Sequence, residues 1–243
     1  DYRSSQYEIT EDYTNDQELE VLALLTLLGQ QYENLLHATG GALNLTKCFC
    51  ILISWRWVDG KAYLKTIAET PSAKLSLTSG YSSQYEEVPR LETSQSYRTL
   101  GVHIAADGNM RKALSLNRQT SETFAGLLSS SHLSRSEAYF AFVLYFYPKI
   151  SYSLPVTTFT KKECNYLQAP AMAAFLPKIG LNRHTARSVV NGPWRYGGLQ
   201  LPDVYADQSL GQIRFFLGHL RRKDQTSRLI SIAISIMQLR IGS

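Results

Sequence analysis

The chain has 243 residues, 44% hydrophobic and 19% charged, enough apolar material for a buried core and unlike a disordered tail. Its three cysteines, Cys48, Cys50 and Cys164, are too few and too unevenly spaced for a disulfide framework, so the expected setting is a reducing intracellular compartment, nuclear or cytoplasmic. The net charge of +5 is divided unequally, with 7 Lys and Arg against 13 Asp and Glu in residues 1–95 and 18 against 7 in residues 96–243, which points to a polyanionic partner for the second part.

Residues 1–15 are polar and weakly patterned and read as a flexible lead; the chain opens without Met, as an internal fragment does. Asp16 to Thr39 has the pattern of an amphipathic helix. Leu19, Leu22, Leu25, Leu28, Tyr32, Leu35 and Leu36 recur at spacings of three and four, with Glu18, Glu20, Gln30 and Glu33 between them. Gly40-Gly41 ends it. Ile51 to Val58 and Ala62 to Ile67 flank Asp59-Gly60, a strong hairpin signal. Lys74 to Leu77 alternates once more, Thr78 to Ser96 reads as a surface excursion, and Tyr97 to Ala105 reads as a strand closed by an Asp107-Gly108 turn.

The remainder reads as helix. Asn109 to Ser130 is periodic, and Ser134…Glu137 forms a capping box that opens an aromatic-rich run stopped at Pro148. Thr160…Glu163 is a second capping box, opening a helix through Tyr166, Leu167, Met172 and Phe175. Arg183 to Val190 reads as a short helix, and Gly192-Pro193 and Gly197-Gly198 bracket a loop bearing Trp194 and Tyr196. Asp203 and Thr226 are candidate caps of two last helices. The apolar stretch Ile230 to Met237 is too short and too broken by serines to cross a membrane, so no membrane partner is expected. The fold class is α+β: a small antiparallel β layer with a packed helix over 16–108, then a mostly helical domain over 109–243.

Several chemistries lack their residues. The five histidines are scattered without metal-ligand spacing, and neither a G-x-S-x-G elbow nor a G-x-x-x-x-G-K-[ST] phosphate loop occurs. What stands out is an ordered set. Helix, Gly-Gly break, the loop Gly41-Ala42-Leu43-Asn44-Leu45-Thr46-Lys47-Cys48 and then an apolar strand fit most of a G-x-x-L-N-x-x-K-[CT] pattern, in register if Gly40 supplies the glycine. Tyr97-Arg98-Thr99-Leu100-Gly101-Val102 follows, and then Gly192-Pro193-Trp194-Arg195-Tyr196-Gly197-Gly198-Leu199-Gln200-Leu201-Pro202. In this order, over residues 16–220, the chain resembles the C-terminal palm and thumb of reverse transcriptases from non-LTR, LINE-like retrotransposons.

The resemblance implies that Lys47 approaches the incoming triphosphate and protonates the departing pyrophosphate, a role suited to an ammonium. It implies a primer grip at Tyr97, Leu100 and Gly101, where glycine permits close approach of a nucleic-acid backbone. It also implies a basic thumb over the primer–template duplex. Arg111, Lys112, Arg118, Lys149, Lys161, Lys162, Arg183 and Arg187 are the candidate phosphate contacts, with Trp194 as an aromatic partner.

The family's metal-binding aspartates are not matched here. Neither Asp1 nor Glu11-Asp12-Tyr13 is an aromatic-x-Asp-Asp turn between strands. No cofactor is expected for this piece, although magnesium is implied for a full parent polymerase. The expectation is therefore a fragment or remnant that positions duplex and is inactive alone, with the rest of the parent polypeptide upstream. A stand-alone helical nucleic-acid-binding or protein-scaffold domain is the alternative.

Overall fold

The computed structural model describes residues 15–72, 74–80 and 82–241; most of the polar lead, with Asp1, Glu11 and Asp12, lies outside them. The chain is mixed α+β and forms two compact units, one of residues 1–97 and 104–109 and the other of residues 98–103 and 110–243.

In the first unit a long helix, α1 (Asn15–Ala38), lies on an antiparallel hairpin of β3 (Leu75–Ser79) and β4 (Ser82–Val88). Gly29 makes the approach close, since a Cβ there would stand 3.2 Å from Leu77 Cδ1. The face of α1 turned inward is unexpectedly polar. Gln30 Oε1 accepts from the Thr78 N–H, and its amide donates to Thr78 Oγ1. The Glu33 carboxylate accepts from the N–H groups of Leu43 and Gly80. Glu18 accepts from Ser54 Oγ and from Lys65 Nζ, the latter at 2.8 Å. The leucine stripe consequently faces outward: Leu22 is buried, whereas Leu19, Leu25, Leu28, Tyr32 and Leu35 are exposed. Backbone donors of the hairpin and loop can be satisfied only by acceptors, and α1 supplies them from its carboxylate and amide side.

Another hairpin pairs β1 (Trp55–Val58) with β2 (Lys61–Leu64), turning at Asp59-Gly60 with both residues at positive φ. Both strands are shorter than the sequence pattern indicates. The expected surface excursion contains β4, and the expected strand Tyr97 to Ala105 is itself a small hairpin, β5 (Tyr97–Thr99) and β6 (Val102–Ile104), turning at Leu100-Gly101. Leu100 takes φ 48° and Gly101 φ 90°. A leucine in the left-handed region is strained, and the Tyr152 hydroxyl holds it by donating to the Leu100 carbonyl.

The second unit is built on α2 (Arg111–Ser130). It packs along α5 (Lys161–Lys178) and, through Phe124, against a helix running Arg135 to Ser151. That helix comprises α3 (Arg135–Phe140), a π-helical segment (Ala141–Phe146) and α4 (Tyr147–Ser151). Pro148 does not stop it, because the π turns change the hydrogen-bond register and the proline falls at the start of a new α segment. Phe142, Phe146, Met172 and Phe175 fill the core. The two capping boxes are formed, Ser134 with Glu137 and Thr160 with Glu163.

Proline 170 lies inside α5, where it removes a donor and crowds the carbonyl of Tyr166. Helix α2 repairs the gap: the Arg118 guanidinium donates to the Tyr166 carbonyl, and Ser121 Oγ accepts from the Ala171 N–H at 3.2 Å. A short helix, α6 (Arg187–Asn191), begins later than the sequence indicates. It is followed by α7 (Val204–Arg222), capped by Asp203, and α8 (Gln225–Ile241), where the Asp224 carboxylate rather than Thr226 accepts from the Ser227 N–H.

Candidate nucleic-acid interface

Contacts between α2 and α5 are in parallel register: Arg118 meets Tyr166, Ser121 meets Ala171, and Lys178 Nζ donates to the Ser131 carbonyl. Their first turns therefore lie at the same end. That end carries Arg111 and Lys112 from α2 and Lys161 and Lys162 from α5, all exposed. The first turn of α2 contains no acid and has no capping side chain, so helix dipole and side chains reinforce one positive potential. Lys112 and Arg98 also act on His103. Burial first, and then these two charges, hold its imidazole below the usual histidine range.

From this end α2 extends about 30 Å, with a groove on either flank. One, of about 430 Å³, is lined by Arg111, Ser115, Arg118, Gln119 and Tyr166 among others. The other, of about 290 Å³, is lined by Gln119, Thr120, Thr123, Tyr145 and Lys149 with apolar neighbours. Each groove holds a cation over an aromatic ring: Arg118 stands 4.2 Å from the Tyr166 centroid, and Lys149 Nζ stands 3.7 Å from that of Tyr145. Gln119 lines both grooves. The result is a polar helical ridge between two cation–aromatic pairs, in which Glu122 lines the first groove and pairs with Arg118 while Lys149 is left for a phosphate.

No family model, curated protein or solved structure matches the chain.

The residues expected from sequence to act together are divided by the structure. Arg111, Lys112, Lys161 and Lys162 share the α2/α5 end, and Arg118 and Lys149 flank the ridge. Arg118 is already engaged, by the Tyr166 carbonyl and by Glu122 at 2.6 Å, so it serves the fold first. Trp194 belongs with the far end of α5, beside Ile179 and Leu181, whereas Arg183 and Arg187 are exposed in the segment that follows α5. Leu100 and Gly101 form the hairpin tip, with Leu100 88% exposed and without apolar cover. Tyr97 instead packs at a tilt on Phe49, ring centroids 3.9 Å apart, within the first unit. Lys47 ends a short 3-10 turn (Leu45–Lys47) and is exposed, while Leu45 anchors the loop beside Leu75, Leu77 and Val88.

Sequence reading passed over Gln119, Tyr145 and Tyr166. The Tyr145–Lys149 spacing of four was the available signal, since residues i and i+4 share a helix face.

Glu18, Glu33, Glu69 and Glu92 of the first unit each bind donors of the chain itself, and among the described residues no three His, Cys, Asp or Glu side chains converge. Among them, too, no helix is long and apolar enough to cross a membrane.

Proposed function

We propose that this chain holds a primer–template duplex as the palm-end and thumb portion of a LINE-like reverse transcriptase, positioning nucleic acid rather than reacting with it. The observation that carries the reading is the parallel pairing of α2 and α5, which gathers Arg111, Lys112, Lys161 and Lys162 at one end of a ridge flanked by cation–aromatic pairs. Four cations beside the uncapped N-terminus of α2 favour phosphate oxygens, although Thr160 and Glu163 cap α5 at the same end, and the ridge offers polar side chains to a groove without demanding a sequence. The order of the lysine loop, the Leu100-Gly101 turn and the helical unit supports the family assignment. In that role the exposed Leu100-Gly101 backbone meets the primer strand, and Lys47 meets a triphosphate when the metal-binding carboxylates are supplied by another segment of the parent.

The test is binding of a labelled RNA–DNA hybrid by the full chain and by the variant with Arg111, Lys112, Lys161 and Lys162 all changed to Ala. The proposal requires a loss of at least ten-fold together with a shallower salt dependence. Equal affinity in both proteins refutes it.

The scaffold reading draws on a different observation, the outward leucine stripe of α1 with Leu24, Leu27 and Leu28 each more than half exposed. A contiguous apolar face of this kind marks a protein contact. A stable protein complex with no affinity for nucleic acid favours that reading instead.

A further inference from the structure

A second concave site lies at the other end of the helical unit. Between Gly192 and Gly198 the backbone nearly closes on itself: Gly198 donates to the Pro193 carbonyl, Gln200 to that of Gly192, and Leu199 to that of Val189. A Cβ on Gly198 would stand 2.1 Å from the Gly192 oxygen, and one on Gly192 would stand 2.3 Å from the Ser188 oxygen. Only glycine fits at the two crossing points. The pinch projects Trp194-Arg195-Tyr196 as a single turn, with Trp194 64% and Tyr196 76% exposed.

Trp194 is one wall of a cleft of about 330 Å³, mainly apolar, whose other sides include Ile179, Leu181, Leu199 and Arg135. Gly180, at φ 88°, leaves room for the Arg135 guanidinium, whose Cζ would stand 2.9 Å from a Cβ there. Among the described residues no carboxylate pairs with Arg135. The chain from Cys164 to Pro202 contains no acid, against Lys178, Arg183, Arg187 and Arg195.

We propose that this cleft takes one unpaired nucleotide of a single strand, its base against Trp194 and the aliphatic wall and its phosphate on Arg135. A flat indole held by a rigid loop provides a stacking surface for any base, and a guanidinium fork matches phosphate oxygens. Glu137, two residues from Arg135, is engaged by Ser134 in the capping box, and the acid-free stretch from Cys164 to Pro202 gives the cleft an excess of cations that suits a polyanion. The inference rests on the nucleic-acid reading above and assigns single strand to the end of the unit opposite the duplex-binding cations.

The experiment uses the full chain with labelled dT12 and with a 12-base-pair RNA–DNA hybrid. Trp194→Ala and Arg135→Ala each weaken dT12 binding five-fold or more and change hybrid binding less than two-fold, whereas Trp194→Phe keeps dT12 affinity. Unchanged circular dichroism and melting show that the variants fold. Unaltered dT12 affinity in both alanine variants, or equal losses for strand and hybrid, overturns the proposal. Hybrid binding without any dT12 binding overturns it and leaves the duplex reading intact; binding of neither overturns both. In a Trp55→Phe, Trp57→Phe background, Trp194 fluorescence that responds to an acidic Glu/Leu peptide but not to dT12 assigns the cleft to a protein segment and also overturns it.

Discussion

Cys164 shows how burial sets the chemistry of a single side chain. It is 1% exposed, and burial, then the charges of Asp203 and Glu163, push its thiol up to about 11. At pH 8 only about one thiol in a thousand is ionised there. Cys50 is buried and raised as well, by burial despite the nearby Arg90 charge, whereas Cys48 is half-buried beside the lysine loop. Iodoacetamide at pH 8 is therefore expected to modify Cys48 first and Cys164 only on unfolding, read by peptide mass spectrometry. Early labelling of Cys164 contradicts its placement.

His103 gives a proton-linked counterpart. Its folded value lies below the usual one, so the folded free protein holds fewer protons there than the unfolded chain. Its destabilising effect is absent well above the ordinary histidine value and appears as pH falls through it. In the proposed function a phosphate beside Lys112 and Arg98 offsets the two charges, the lesser causes of the shift after burial, and so moves the imidazole part of the way back up. Hybrid affinity is expected to increase between pH 8 and pH 6, with His103→Ala flattening the profile. Affinity that is independent of pH, or that falls with acidification, contradicts a phosphate at this end.

At the scale of elements, the junction of α2 with α5 is the most instructive. Pro170 is tolerated because Arg118 and Ser121 bond the groups it disturbs, both from the neighbouring helix. Ser121 is completely buried, so Ser121→Ala deprives the Ala171 N–H of that acceptor and is expected to cost about 2 kcal/mol in urea unfolding. A change below a few tenths shows that the bond does not matter. The Leu100-Gly101 turn gives the opposite expectation. Asparagine tolerates the left-handed region better than leucine, so Leu100→Asn is expected to raise the melting temperature, by an amount corresponding to about 1 kcal/mol.

These elements also show what could be read from sequence. The capping boxes at Ser134 and Thr160 and the Asp59-Gly60 turn depend on bonds within three or four residues and were legible. The direction faced by α1 was not, because it is set by partners outside the helix: the side chains of Ser54 and Lys65 for Glu18, Thr78 for Gln30, and the N–H groups of Leu43 and Gly80 for Glu33. The Leu100-Gly101 turn lacks the usual Asn or Asp and merged with its flanking strands. Arg111, Lys112, Lys161 and Lys162 could be picked out as basic residues, but their meeting at one end depends on the parallel packing of two helices. Arg135 was missed for the same reason: its cleft closes only when Gly180 and the Gly192–Gly198 loop come to it.

For the molecule as a whole, charge is the organising property. Among the described residues of the first unit, Glu18, Glu33, Glu69, Glu87 and Glu92 hold its own backbone and side chains, whereas the second unit has cations in excess at both ends of α5. In the proposed function this distribution serves a long polyanion rather than a small acidic ligand. The most direct test is the salt dependence of RNA–DNA hybrid binding by the intact chain, measured by anisotropy from 50 to 300 mM salt. Four phosphate contacts at the α2/α5 end predict a slope of log K against log salt of about −3.6 or steeper. The quadruple alanine variant is expected to lose most of that slope. Binding that is indifferent to salt, or a slope unchanged in the variant, contradicts the account.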